Sequence, residues 1–318
     1  MYNSLSPGVV SVRNYFWEES YQSLDVVTHM LPTQTQPVII SYQHNQPRSY
    51  YTTYNEVSNP IGYTSGNFSQ RRMELFSAVL SYVNPMLPSG VNFDADNDGY
   101  IDNVIFLLRG SHDGWGNFLW PHKSSIGSLG LQLGGKTVGE YNLGLEFMSG
   151  VSTACHEFTH TLGAPDYYHY SEDSTYSPVG MWDVMANNLN PPQHTSAFTK
   201  WKYIGWIDSI PTIAPNQTYT INPLSSSTNN AFRINSPYTD DEYFVVEYRR
   251  NIGTFESSLP GSGLVVWRVN GDVASGNASG PPDELYVYRP TSSPTATGTL
   301  NQAFLSAESG WIPNTRTK

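Results

Sequence analysis

The chain has 318 residues, enough for one large domain or two medium ones with a substantial core. Its formal charge of -11 argues against a nucleic-acid binder and against attachment to an anionic membrane surface. No stretch reaches the roughly 20 apolar residues of a membrane span, and 26 Gly with 22 Pro favour loops and short strands over long helices.

The first residues, Met1-Tyr2-Asn3-Ser4-Leu5-Ser6-Pro7, lack the basic region and apolar core of a signal peptide. A cytosolic protein or a mature or truncated form is expected. Residues 10–23 hold Val12-Arg13-Asn14-Tyr15-Phe16-Trp17-Glu18, a helix with aromatic residues on one side. Residues 24–31 and 37–42 read as strands. Over 69–83, Met73, Phe76, Val79, Leu80 and Val83 recur at helical spacing, and Pro85 stops the helix. The continuous apolar run 104–108 reads as a buried strand.

Just before that strand lies Asp94-Ala95-Asp96-Asn97-Asp98-Gly99-Tyr100-Ile101-Asp102. Carboxylates at alternate positions followed by Gly match the first half of an EF-hand calcium loop. Asp94, Asp96, Asp98, the Tyr100 carbonyl and Asp102 are the expected calcium ligands. The twelfth position is Ile105 and not Glu, and a strand follows instead of a helix. A structural calcium loop on another scaffold is therefore expected, and calcium in the millimolar range points outside the cell. The bland alternative is a solvated acidic turn.

Residues 152–162 form the most informative helix, with Ser152 or Thr153 expected as its N-cap. The run from His156 to Asp166 reads His-Glu-x-x-His-x-x-Gly-x-x-Asp. His156 and His160 lie one turn apart on one helix face, so both imidazoles can reach one zinc ion. Glu157 beside them can take a proton from metal-bound water. Gly163 permits the backbone to reverse, Pro165 prevents the helix from continuing, and Asp166 arrives from a turn as the third ligand of an open site. His169, Asp173, Asp183 and His194 are fallback ligands. The alternative is a core helix with hydrogen-bonded histidines, but Phe158 and Leu162 can supply its apolar face without them. Cys155, the sole cysteine, excludes an intrachain disulfide and reads as buried and structural.

Seventeen residues after Gly163 begins Gly180-Met181-Trp182-Asp183-Val184-Met185. A methionine-bearing turn beneath the metal is expected at about 180–186. Met181 and Met185 compete for it, and Met185 is preferred because Trp182-Asp183-Val184-Met185 makes a compact apolar turn. A lone Met is more often core filler. Trp120-Pro121-His122 places a His among apolar residues, more in keeping with a structural role. Glu140 and Glu146 can line a substrate strand, although no spacing singles them out. Residues 196–204 read as a helix. From about residue 211 the texture changes, with strands expected at 218–221, 232–234, 243–248 and 263–269 and a loosely structured tail beyond Asn270.

Together these segments resemble the immune inhibitor A family of bacterial secreted metallopeptidases (peptidase family M six). The matching segments are Ser11-Val12-Arg13-Asn14-Tyr15-Phe16, residues 94–102, Trp120-Pro121-His122, residues 156–166 and Trp182-Asp183-Val184-Met185. Glu242-Tyr243-Phe244 to Arg249, and Leu259-Pro260-Gly261-Ser262-Gly263 leading to Trp267, extend the match to about residue 270. Thr159 stands where the family usually has Gly, and Arg268 where it has His. The resemblance implies a metzincin-like catalytic domain split by a cleft with the zinc helix at its floor. It also implies a secreted zymogen whose inhibitory propeptide and signal are not in this chain.

The expected architecture is an α/β (α+β) metzincin-like zinc peptidase domain with a mixed sheet over 1–210, followed by a small β-rich domain over 211–318. The expected function is that of a zinc endopeptidase, secreted and bacterial as the resemblance implies, that works as a monomer on protein or peptide substrates. In it Glu157 assists attack by zinc-bound water, with calcium as structural cofactor. Two other readings remain: a calcium-stabilised extracellular adhesion module with a vestigial zinc site, and a zinc hydrolase acting on a non-peptide amide.

Overall fold

A computed structural model describes residues 1–35, 38–148, 150–171, 176–293 and 296–306. The fold is mixed α and β, with few helices and several small sheets. The helices are α1 (Val12–Glu19), α2 (Phe68–Val83) and α3 (Val151–Thr161), besides shorter helical turns. The strands are β1 (Val104–Leu108), β2 (His122–Ser125), β3 (Gln132–Leu133), β4 (Lys136–Thr137), β5 (Glu140–Leu145), β6 (Ala231–Asn235), β7 (Glu242–Arg249), β8 (Gly263–Asn270) and β9 (Leu285–Val287). Among the described residues no helix is long and apolar enough to cross a membrane.

The chain divides into two compact units, Met1–Val27 with Ala154–Lys318, and Thr28–Thr153. The boundary expected near residue 210 falls inside the first of these. The physical reason is a shared core: Trp182, Val184, Met185 and Phe198 lie in one buried apolar cluster with Val245, Val265, Trp267 and Leu285. The polar, Pro-rich stretch after 210 marks a change of local texture without a change of core.

In the Thr28–Thr153 unit, α2 ends at Asn84–Pro85 as its sequence requires. It buries Leu75, Phe76, Leu80 and Val83, whereas Met73, expected on the same face, is 40% exposed. Strand β5 is central, pairing in parallel with β1 and antiparallel with β2. Phe76 stacks on Phe106 of β1 with centroids 4.1 Å apart. Only Phe106 of β1 is buried and Leu107 is 42% exposed, so β1 is an edge strand and not the fully buried one expected. Strands β3 and β4 form a hairpin across Gly134 and Gly135, both at positive φ, as a tight primed turn demands. The strands expected over 24–31 and 37–42 are absent from the described residues, where only an isolated Thr35–Val38 bridge occurs. Val27, Val38 and Ile39 are more than half exposed. The β-branched residues there have no partner strand, and β-propensity without pairing makes no sheet.

In the other unit, Ser11 caps α1, its Oγ accepting from the Asn14 N–H at 3.1 Å. Val12, Tyr15 and Phe16 turn inward at helical spacing. Strands β6 to β9 form a four-stranded antiparallel sheet in chain order. Burial alternates strictly along β7 and β8, as a half-buried sheet requires. The expected strand at 218–221 does not form. The expected helix at 196–204 is a short α-turn, Ala197–Thr199, running into a π-turn, Lys200–Ile204. Among the described residues beyond Asn270, expected to be loosely structured, β9 joins the sheet, and Asn277, Asp283, Glu284 and Leu285 are buried.

One inward face of β7 carries charge. Arg249 is fully buried and bonds Glu256 Oε1 and Oε2 at 2.6 Å and Glu247 Oε1 at 3.0 Å. Its Nη1 also donates to the Trp182 carbonyl at 2.9 Å. Burial opposes the guanidinium's charge, but the two glutamates outweigh it and push its pKa up. Nearby, fully buried Lys200 donates to the Glu19 carbonyl at 2.6 Å and lies 3.2 Å from Glu19 Oε2.

Candidate metal centres

Helix α3 begins at Val151, so the expected caps Ser152 and Thr153 lie within its first turn, where Thr153 Oγ1 donates to the Met148 carbonyl at 2.9 Å. Ala154, Cys155 and Thr159 are buried, and Phe158 packs on Phe16 with centroids 4.8 Å apart. Thr159 donates its hydroxyl to the Cys155 carbonyl at 2.7 Å. That bond back to the preceding turn occupies the polar end of a side chain where the resemblance implies Gly. Cys155 is fully buried and burial raises its thiol pKa, which keeps it protonated and structural. The helix ends at Thr161, and the turn after it passes through Gly163, whose φ of 103° only Gly adopts readily. Its N–H donates to the His160 carbonyl at 3.0 Å.

The reversal at Gly163 and Pro165 brings Asp166 back over the helix. Asp166 Oδ1 lies 3.2 Å from His156 Nε2 and 3.3 Å from His160 Nε2. It is buried and has no hydrogen-bond donor unless one of these imidazoles carries a proton on Nε2. Each imidazole is held from its other side: His156 Nδ1 lies 2.8 Å from the Val184 carbonyl and His160 Nδ1 2.8 Å from the Ala164 carbonyl. Since a carbonyl only accepts, both Nδ1 atoms carry the proton and both Nε2 atoms are free to act as ligands. A carboxylate oxygen of Glu157 and one ring nitrogen of each histidine lie within 4.8 Å of one another.

These distances can be set against zinc. Neighbouring ligand atoms of a tetrahedral ion with bonds of about 2.0–2.1 Å stand about 3.3–3.4 Å apart. The two nitrogen–oxygen separations match that edge, and an orphaned buried oxygen is what a metal would satisfy. Two neutral imidazoles, a carboxylate and carbonyl-anchored rings also make a donor set suited to zinc. In the metal-free centre, burial disfavours a charged His156, but Asp166 and then Glu157 outweigh it and push its pKa up to about 9. Burial likewise opposes ionised Asp166, and the two histidines overcome it, holding its pKa well below the usual carboxylate range.

The turn expected at about 180–186 meets this centre through the Val184 carbonyl. Asp183 Oδ1 accepts from the Met185 N–H at 2.8 Å, the Asp183 carbonyl accepts from the Ala186 N–H at 3.0 Å, and the Val184 carbonyl anchors His156. Met185 is fully buried, whereas Met181 is only partly buried in the preceding turn. Two of the fallback ligands, His169 and Asp183, are engaged elsewhere, and His194 is buried with neither ring nitrogen hydrogen-bonded. His169 pairs with Asp283 at 2.5 Å, His194 lies 3.4 Å from Glu19, and Asp183 Oδ2 accepts from the Ser196 N–H at 2.7 Å. Asp173 lies outside the described residues.

Three neighbours of the centre escaped the sequence. Tyr170 donates its hydroxyl to Asp166 Oδ2, and Tyr168 lies beside it with ring centroids 5.5 Å apart. Burial first, and then Asp166, raises the pKa of both phenols, so both remain proton donors. From more than a hundred residues downstream, the Asn277 N–H donates to the Asp166 carbonyl at 2.8 Å. Runs of Tyr and an Asn among Ser and Gly carry no spacing that would have marked them.

In the Thr28–Thr153 unit, the acidic loop gathers Asp94, Asp96 and Asp98 with carboxylate oxygens within 4.8 Å of one another. Asp94 Oδ1 accepts from the Asp98 N–H at 3.0 Å and Oδ2 from the Gly99 N–H at 3.1 Å. Gly99 has φ 92°, the sharp turn expected at the loop's sixth position. Asp102 stands apart from the cluster, accepting from the Ala95 N–H at 3.0 Å, and Tyr100 pairs its backbone with Thr137. Lys136 lies 2.5 Å from Asp94 Oδ2, and that bond, first among several, holds Asp94 below the usual carboxylate range. His122 Nδ1 lies 2.6 Å from the Trp120 carbonyl and Nε2 2.8 Å from the Tyr141 hydroxyl. Burial lowers its pKa, which suits a structural histidine. Glu140 is bound to Lys123 at 2.5 Å, and Glu146 Oε2 accepts from the Gly110 N–H at 3.2 Å.

Comparison with protein-family models, with curated proteins and with solved structures finds nothing that matches this chain.

Proposed function

We propose that this chain is a zinc-dependent endopeptidase of metzincin-like type, acting on protein or peptide substrates outside the cell. The observation that carries the reading is Asp166 Oδ1, buried, with the two imidazole Nε2 atoms at 3.2 and 3.3 Å as its near neighbours. His156, His160 and Asp166 would hold the metal. Bound zinc would supply a Lewis acid that brings the pKa of water toward neutrality and polarises a carbonyl.

Each further task falls to the chain's own groups. The Val184 and Ala164 carbonyls fix the tautomer and direction of both ligating rings. Glu157 is the general base: its carboxylate takes the proton of the attacking water and returns it to the leaving amine nitrogen. The position of Glu157, within 4.8 Å of one ring nitrogen of each histidine, suits proton transfer to and from a water beside them. The acidic loop is proposed to hold calcium through Asp94, Asp96 and Asp98, with Tyr100 and Asp102 completing it, and Lys136 giving way. Millimolar calcium favours an extracellular setting. The resemblance to immune inhibitor A peptidases belongs to the same proposal.

Zinc dependence tests it. Protein stripped with a chelator should lose cleavage of an unfolded protein substrate and regain it with about one equivalent of zinc. Full cleavage by metal-free protein would contradict the proposal, and zinc-dependent hydrolysis confined to non-peptide amides would point to another hydrolase.

A further inference from the structure

The two oxygens of Asp166 have different surroundings. Oδ1 faces the two Nε2 atoms, while Oδ2 takes the Tyr170 hydroxyl. A carboxylate free at both oxygens can rotate or bind a metal through both; one tied at Oδ2 offers Oδ1 alone. Tyr170 itself is fixed by its N–H, which donates to the Ala278 carbonyl at 3.0 Å. The next residue back in that segment, Asn277, donates its N–H to the Asp166 carbonyl at 2.8 Å. One short segment thus anchors the backbone of Asp166 and the residue that binds its side chain.

The segment is held firmly. Asn277 is fully buried; its Nδ2 donates to the Leu285 carbonyl at 2.7 Å and the Tyr167 carbonyl at 3.3 Å, and its Oδ1 accepts from the Leu285 N–H at 3.1 Å. Leu285 opens β9, so the clamp is tied to the edge of the four-stranded sheet. Gly276 approaches so closely that a Cβ there would collide with the Asp166 carbonyl, and its φ is 81°. Its N–H donates to Glu284 Oε2 at 2.6 Å.

We propose that Tyr170 and Asn277 are positioning residues for the metal centre, together holding Asp166 so that Oδ1 alone meets the metal. The inference rests on the reading of Asp166 as third ligand. It makes zinc affinity depend on a part of the chain more than a hundred residues from the ligand motif.

The test is a double-mutant cycle on the full chain, with zinc affinity measured by competition against a chromophoric chelator. The variants are Tyr170→Phe, Asn277→Ala, Asp166→Ala and the pair Tyr170→Phe with Asp166→Ala. Tyr170 is 46% exposed, so removal of its hydroxyl leaves the fold in place. Tyr170→Phe and Asn277→Ala should each weaken zinc binding about 10–100-fold, the usual cost of losing an outer partner of a ligand. In the Asp166→Ala background Tyr170→Phe should change nothing further, because its partner is gone. Equal weakening in both backgrounds would mean a general structural effect and overturn the inference, as would unchanged affinity in Tyr170→Phe. Should Asn277→Ala fail to fold, Tyr170→Phe decides alone. If Asp166→Ala binds zinc as tightly as the unaltered chain, the third-ligand assignment falls and the inference with it; loss in Asp166→Ala without loss in Tyr170→Phe sinks the inference only.

Discussion

At His156 and His160 the two ring nitrogens have separate tasks, one donating to a carbonyl and the other turned toward Asp166. Without metal that arrangement traps a proton, and the sign of its effect follows from linkage. His156 is raised from the ordinary value near 6.5 to about 9, so its stabilising pair with Asp166 is complete below about 6.5 and is lost as pH rises toward 9. Asp166 is depressed, so its contribution is present above about 4 and disappears as pH falls through its lowered value. Metal-free protein should therefore melt at progressively lower temperature as pH rises from about 6.5 to about 9. Zinc-loaded protein should lack that decline, because its imidazoles are already neutral. Identical pH profiles for the two forms, followed by calorimetry, would contradict this.

At the scale of elements, the helix and the turn below it form one assembly. The Val184 carbonyl binds His156, and Arg249 of β7 binds the Trp182 carbonyl from behind. Arg249→Leu would strand Glu247 and Glu256 as buried charges, at a cost of about 3–5 kcal/mol; denaturant titration should show the loss. A change below about 1 kcal/mol, the range of exposed pairs, would mean that water already reaches this cluster. The helix motif was legible because its chemistry is written in eleven contiguous residues, His156 to Asp166. The strands were legible where burial alternates, as in β7 and β8, and in the short runs of β1 and β6, though β1 is less buried than its apolar run suggested. Central β5 buries Tyr141 to Leu145 on both faces and includes Asn142 and Gly144, so it shows neither alternation nor strong propensity. Residues 24–31 and 37–42 carry the propensity without a partner. Asn277 sits in a polar segment whose composition suggests looseness, yet its buried side-chain bonds give it order; composition cannot report which polar groups find each other.

Across the whole molecule, the two candidate metal sites belong to different compact units, the acidic loop to Thr28–Thr153 and the zinc helix's ligands to the other. Calcium withdrawal should accordingly raise backbone hydrogen exchange around 94–102 while leaving 156–166 protected, and zinc withdrawal should do the reverse. Exchange that rises first at the zinc ligands when only calcium is removed would argue against a structural calcium loop. The expected boundary near residue 210 failed because the apolar face of β7 and β8 packs with Trp182 and Met185, a pairing that local texture does not reveal.

The most direct measurement compares the unaltered chain with Glu157→Ala, both loaded with zinc, on a denatured protein substrate. The account predicts equal zinc content and a loss of cleavage of at least about 10²–10⁴-fold, the usual contribution of a general base. Equal cleavage by both proteins would contradict the assignment of Glu157, and no cleavage by either would favour a binding module with a vestigial zinc site.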